Sequence, residues 1–154
     1  QAGIWAVKTS AGIILIDSLH DYMVEDEIVN GMKKLGLDPA KIKYMLITHA
    51  HGDHYFGNSV FKREGATFIA HRDTAGMMKS HLGIEMKRRQ GYFKQRQYDP
   101  AEVKLVLPDV TFDSKMTLTL GGRTIELIYI GAGQNPGDTL VYFPKERVIF
   151  TGGP

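Results

Sequence analysis

The 154-residue sequence contains no cysteine. Disulfides and thiolate metal ligands are therefore excluded, and His with Asp or Glu are the only side chains left for a transition-metal site. Long hydrophobic runs are also missing. Runs such as GIILI and YMLI fall far short of the roughly 20 apolar residues of a membrane span. Charge of one sign is scarce: the formal net charge is +2, too small to point to nucleic acid without a local cluster. No secretory signal is visible, since Gln1 leads straight into an alternating apolar segment. A secreted or periplasmic chain whose signal had been removed would read the same way as a cytoplasmic one. No period of 20–50 residues repeats, which excludes a solenoid. What is present is ordinary for a globular chain, 43% hydrophobic and 23% charged. The length suits a single domain over residues 1–154.

Along the chain, 4–9 and 12–17 read as two strands around a Ser10-Ala11-Gly12 turn. Residues 22–35 place Met23, Val24, Ile28, Val29, Met32 and Leu35 at the spacing of a helix lying on a sheet. IKYMLIT follows as a buried strand ending at Thr48. After the next loop, Asn58 is a candidate cap for a short helix, SVFKRE, and ATFIA reads as a strand. A helical stretch starts near Arg72 or Asp73 and runs towards residue 90. The remainder reads as β: VTF, KMTLTL, then GGRTIELIYI after a tight Gly121-Gly122 turn, and DTLVYF joined to RVIFT by PKE. This order indicates an α/β domain of layered sheets and helices. The chain begins inside a strand and closes on Gly-Gly-Pro, so both ends are expected to cut through a larger fold.

The chemistry concentrates in THAHGDH, residues 48–54. His49, His51, Asp53 and His54 put four potential ligands into six positions, directly after a strand. His49 and His51 share a face if the extended path continues. Gly52 lets the chain turn and bring Asp53 and His54 round. Neutral imidazoles and a carboxylate are what a borderline divalent metal accepts in the absence of sulfur.

This segment resembles the H-x-H-x-D-H motif of the metallo-β-lactamase fold superfamily. The GIILID strand, the stretch KKLGLDPAKIKYMLITHAHGDHYFGN and the late GDTLVYFPKERVIFTGG segment follow in that family's order, so the similarity covers nearly the whole chain. The resemblance implies an αββα sandwich and a zinc hydrolase that attacks an ester, amide, thioester or phosphoester of a small molecule with metal-bound hydroxide. It places His49 and His51 on a first zinc, and Asp53 and His54 on a second, with Asp53 also orienting the attacking hydroxide. The family's third ligand on the first ion is a His in G-x-G-H-T-P-G-D, where this chain reads GAGQNPGDT with Gln134 at that position. Its bridging Asp lies in F-T-G-D, where this chain has Gly153. Its last His lies in a C-terminal half beyond this sequence. The resemblance thus implies one or two zinc ions with a weak second site, Gln134 as a substitute ligand, and impaired turnover. Asp17 stands where the family keeps an acid beside the metal loop, as a partner to a ligand His.

The alternative function is a non-catalytic metal-binding or assembly module, half of the fold, acting as a homodimer or with a complementing chain. Residues 79–97 carry Lys79, Lys87, Arg88, Arg89, Lys94 and Arg96 against one acid, Glu85, with Tyr92 and Phe93 interleaved. An RNA-binding strip would have this composition, but a short basic run is more simply a solvated face. Met77, Met78 and Met86 read as packing residues, and His20, His71 and His81 as surface or satisfied core histidines. GAGQNPG leads into a strand and not a helix, so it is a bend presenting residue 134 and not a dinucleotide loop.

Overall fold

The computed structural model describes residues 3–62 and 65–153. It has two sheets. The first has the order β1-β2-β3-β4-β5, from Trp5–Thr9, Gly12–Ile16, Ile42–Ile47, Thr67–His71 and Val110–Phe112. β1 is antiparallel to β2, and the other neighbours are parallel. The second sheet is an antiparallel meander, β6-β7-β8-β9, from Lys115–Leu120, Arg123–Tyr129, Thr139–Phe143 and Val148–Phe150.

The alternation of side chains along the parallel strands accounts for the layers. Ile13 and Leu15 of β2, Met45 and Ile47 of β3, and Phe68 and Ala70 of β4 join a cluster with the helical residues Val24, Ile28, Met32, Phe61, Met78 and Phe93. Ile14, Ile16, Leu46 and Ile69, one residue out of phase, meet Ile125, Leu127, Val141 and Phe143 of the second sheet. Strands buried on both faces need unbroken apolar runs, which is why GIILI contains no polar residue. Every member of the inter-sheet cluster belongs to a strand. The described residues therefore stack as helices, first sheet, second sheet: a mixed α/β sandwich.

Parallel neighbours require crossovers. β2 and β3 are joined by α1 (Asp21–Met23), a π-helical stretch Val24–Val29 and α2 (Asn30–Lys34). The expected helix over 22–35 is thus one continuous helical segment with a widened middle. α3 (Gly52–Tyr55) and α4 (Asn58–Lys62) join β3 to β4, and α5 (Arg72–Ser80) with α6 (Leu82–Arg96) join β4 to β5. The helical stretch expected from residue 72 breaks at His81 and runs on to Arg96. Asn58 does not act as a cap. It lies inside α4, and its side chain accepts from Ser18 Oγ at 2.8 Å and donates to the Val106 carbonyl. The last two residues of SVFKRE, 63 and 64, lie outside the described residues. Gly121 and Gly122 both have positive φ, 54° and 78°, as the mirror-image hairpin turn between β6 and β7 demands.

Candidate metal centre

In a sheet of parallel strands, ligand sites form beyond the carboxyl ends of the strands. Two loops meet there: residues 17–20 after β2 and 48–54 after β3. Ser18 N–H donates to the His54 carbonyl at 3.0 Å, and Gly57 N–H to the Leu19 carbonyl at 2.9 Å. Gly57 makes this approach possible, because a Cβ there would stand 2.1 Å from the Ser18 carbonyl oxygen. The first loop is strained: Asp17 and Leu19 have φ of 62° and 59°, a region costly for any residue but Gly, Asn or Asp.

That backbone aims the Asp17 carboxylate inward. It is 1% exposed and accepts three hydrogen bonds: Thr48 N–H at 2.8 Å, Thr48 Oγ–H at 2.8 Å and the His54 ring at Nδ1, 2.7 Å. The carboxylate only accepts, so it fixes the protons around it. His54 donates its Nδ1 proton to this carboxylate. Thr48 gives its hydroxyl proton to Asp17, so the 3.0 Å contact with His49 Nδ1 is an N–H donated to Thr48 Oγ1. His49 therefore presents a bare Nε2.

His49 Nε2 stands 3.2 Å from His51 Nδ1. The bare His49 Nε2 accepts here from His51 Nδ1–H; two ligand nitrogens on one tetrahedral ion stand about 3.3 Å apart, so the same spacing suits a shared divalent ion once that proton is lost. The His49 and His54 ring centroids are 3.9 Å apart. The set stops short of a closed cage: among the described residues, no three His, Asp or Glu side chains stand together as a ready ion-binding group. Burial, reinforced by the neighbouring His54 and His51, lowers the His49 pKa to about 3, so this ring is neutral at neutral pH. Burial pulls the His54 pKa down, but the hydrogen bond and charge of Asp17 outweigh it and raise it overall.

Gly52 plays a different part from the one its sequence position implies. It begins α3 without a positive φ, and what it supplies is room, since a Cβ would come 2.7 Å from the Phe56 ring. Asp53 lies on α3. Its Oδ1 lies 2.5 Å from the Arg89 guanidinium of α6. Burial would raise the Asp53 pKa, but Arg89 and then His54 hold it below the ordinary carboxylate value. Glu85, 2% exposed, accepts Gly52 N–H at 2.8 Å, pairs with Arg88 at 2.8 Å and reaches Arg89 at 3.6 Å.

The opposite wall comes from the second sheet. Gln134 is exposed, in the loop between β7 and β8. Asp138 shapes that loop by accepting the N–H groups of Gln134 and Asn135. Gly153 follows β9, and a Cβ at this residue would lie 3.4 Å from both the Gln134 side-chain amide and His49 Cε1. Gly153 therefore lies between Gln134 and His49, and neither Gln134 nor Gly153 supplies an imidazole or a carboxylate.

Sequence reasoning missed Glu85, Arg89 and His20. Glu85 and Arg89 were folded into a solvated basic face. The available signal was the one acid among six bases in residues 79–97, four positions before an arginine. His20 is buried, stacks on Tyr22 at 5.1 Å, and has its pKa lowered to about 4 by burial and then by Arg89. With Tyr22, Met23, Asp53, Tyr92 and Arg96 it lines a recess of about 390 Å³ beside the loop. His71 is a satisfied core residue: its Nδ1 accepts Asp73 N–H and its Nε2 meets the Asp113 carbonyl.

The sequence and fold have clear relatives. A model of the metallo-beta-lactamase superfamily matches residues 3–152. A metallo-beta-lactamase type 2 of Bacteroides fragilis is 23% identical, over 96% of this chain and 53% of that protein. Its counterpart from Bacillus cereus is 25% identical, over 95% and 48%. Among solved structures, a subclass B3 metallo-beta-lactamase of Bradyrhizobium japonicum superposes with a TM-score of 0.70 at 28% identity, covering 92% of this chain and 50% of that one. A class B3 di-zinc enzyme from an Alaskan soil metagenome shares the fold with a TM-score of 0.70 at 21% identity, covering 91% and 50%. The chain spans about half the length of the relatives it matches. With two sheets in this arrangement, a histidine-rich loop beyond the third strand and a family match along almost its whole length, the chain belongs to the metallo-beta-lactamase superfamily.

Proposed function

We propose that this chain is the metal-binding part of a zinc-dependent hydrolase acting on a small molecule, with His49 and His51 as principal ligands. The observation that carries this reading is the 3.2 Å approach of His49 Nε2 to His51 Nδ1, with the outer nitrogen of His49 tied to Thr48. Partners on the far side of a ligand ring fix its tautomer and raise its basicity. Asp17, through Thr48 and His54, fills that role here. A zinc ion bound there supplies Lewis acidity and makes water acidic enough to ionise near pH 7.

The chain's own residues do the rest. Gln134 lies across Gly153 from His49 and can add a neutral carbonyl oxygen, a weaker donor than imidazole. Asp53 stays ionised beside Arg89, and its second oxygen can accept a proton or orient a nucleophilic water. The recess flanking Asp53 has the size of a small-molecule site, with an aromatic wall and the Arg96 guanidinium at its rim. Turnover is expected to be low in this chain alone, because neither Gln134 nor Gly153 supplies a charged or imidazole ligand.

Metal analysis after mild dialysis tests this reading. About one zinc retained per chain supports it, and no retained zinc refutes it. A second reading, an assembly module needing a partner, is favoured by the exposure of Trp5, Ile130 and Ile149, at 53%, 59% and 49%. Light scattering decides it, since a stable monomer at micromolar concentration removes it.

A further inference from the structure

The loop carries ligands for two ions in its motif, but the structure balances its charges differently. Asp53, the acid of the motif, is already paired. Its Oδ1 lies 2.5 Å from an Arg89 nitrogen, and both side chains are largely buried, at 22% and 18% exposed. A guanidinium stays charged at any accessible pH and matches a carboxylate in shape. Arg89 is itself anchored one helical turn from Glu85, which is 3% exposed in its side chain and receives Gly52 N–H. Arg88 completes the set on the outer side of Glu85. Two carboxylates thus meet two guanidiniums, and no negative charge remains on this side of the loop. Asp17, the other buried acid, is spent on Thr48 and His54.

We propose that Arg89 takes the place of a second metal ion at Asp53, so that the centre holds a single divalent ion at His49 and His51. α6 then braces the metal loop through two contacts: Glu85 on the Gly52 amide and Arg89 on the Asp53 carboxylate. A second dication beside Asp53 would sit next to a fixed guanidinium in a partly buried setting, where like charges repel strongly. It would find only Asp53 and His54 as strong ligands. Arg89 is held between two acids, Asp53 at 2.5 Å and Glu85 at 3.6 Å. This inference rests on the zinc reading above and concerns the number of ions, not their presence.

The test is a zinc titration of the metal-free chain by calorimetry, with cadmium substitution read by the number of cadmium resonances. The wild-type chain is expected to take one equivalent and show one resonance. Arg89→Met removes the cation but leaves Glu85 its Arg88 partner. It is expected to tighten binding of a second equivalent at least tenfold and to add a second resonance. Arg89→Lys keeps a charge at this position and is expected to stay at one. Two tight equivalents in the wild type would overturn the inference while leaving the zinc reading intact. So would an Arg89→Met chain that is folded by its thermal transition and titrates like the wild type. Zero equivalents in the wild type would overturn the zinc reading and this inference with it. If Arg89→Met fails to fold, Arg89→Gln replaces it under the same readout: a gained second equivalent upholds the inference, and a folded Arg89→Gln chain that titrates like the wild type overturns it.

Discussion

The two walls of the candidate centre are built to different standards. The wall from the first sheet is buried and fully bonded: Asp17, Thr48, His49 and His54 are each 5% exposed or less, and one carboxylate organises them. The wall from the second sheet is a short loop with an exposed glutamine, and a glycine after the last strand. It comes close to His49 at Gly153 but offers no imidazole or carboxylate there. The difference teaches that the side chains of the loop are oriented by its own sheet and by α6, while the second sheet adds one backbone tie, Thr139 N–H to the Thr48 carbonyl at 2.9 Å. A buried acid with several donors acts as a rigid frame, since each donor it satisfies would otherwise cost about 1–3 kcal/mol.

The sharpest way to break this contrast is Asp17→Ala. It leaves two Thr48 donors and the His54 N–H unsatisfied in the core, and it puts alanine at a φ of 62°. The expected loss is about 3–5 kcal/mol of stability, or a fall in Tm on the order of 10 °C for a chain of this size, measured by thermal unfolding of the metal-free chain. Zinc binding should weaken in parallel, about 10–100-fold. Full retention of both would show that the first wall is not organised by Asp17. Gln134→His tests the other wall. An imidazole beside His49 should tighten zinc about tenfold, with little change in metal-free stability, because residue 134 is exposed. Unchanged affinity would mean that this loop does not reach the ion.

The smallest effect is expected far from both walls, at the surface pair Lys62–Asp109. Burial raises the Asp109 carboxyl pKa, but the hydrogen bonds from Lys62 and from Phe68 N–H, with the Lys62 charge, together outweigh it and lower it overall. A carboxyl with a depressed folded pKa stabilises the fold above its ordinary value of about 3.9, and that contribution fades as pH falls through the folded pKa. Both side chains are about four-tenths exposed, so Lys62→Met should cost less than about 1 kcal/mol. The cost should be visible at neutral pH in a urea unfolding series and absent in strong acid. A larger loss would mean that this edge of the first sheet is as tightly determined as the metal loop.

Much of this protein is written locally. Two-sided apolar runs made β2 and β3 legible, the paired glycines marked the β6–β7 turn, and THAHGDH identified the donor-rich loop, because each depends on neighbours a few residues away. Asp17 was legible as an acid at a strand end near the metal loop; its pairing with His54, 37 residues later, was not. The same holds for Glu85 with Gly52, Arg89 with Asp53, and Asn58 with Ser18, each joining segments more than thirty residues apart. Whether a charge in a basic run meets water or a buried acid depends on which helix face the sheet covers. Sequence alone showed where the donor-rich side chains cluster. Only the tertiary packing decided which of them are already spent on one another, because desolvation and pairing of charges are properties of the assembled interior.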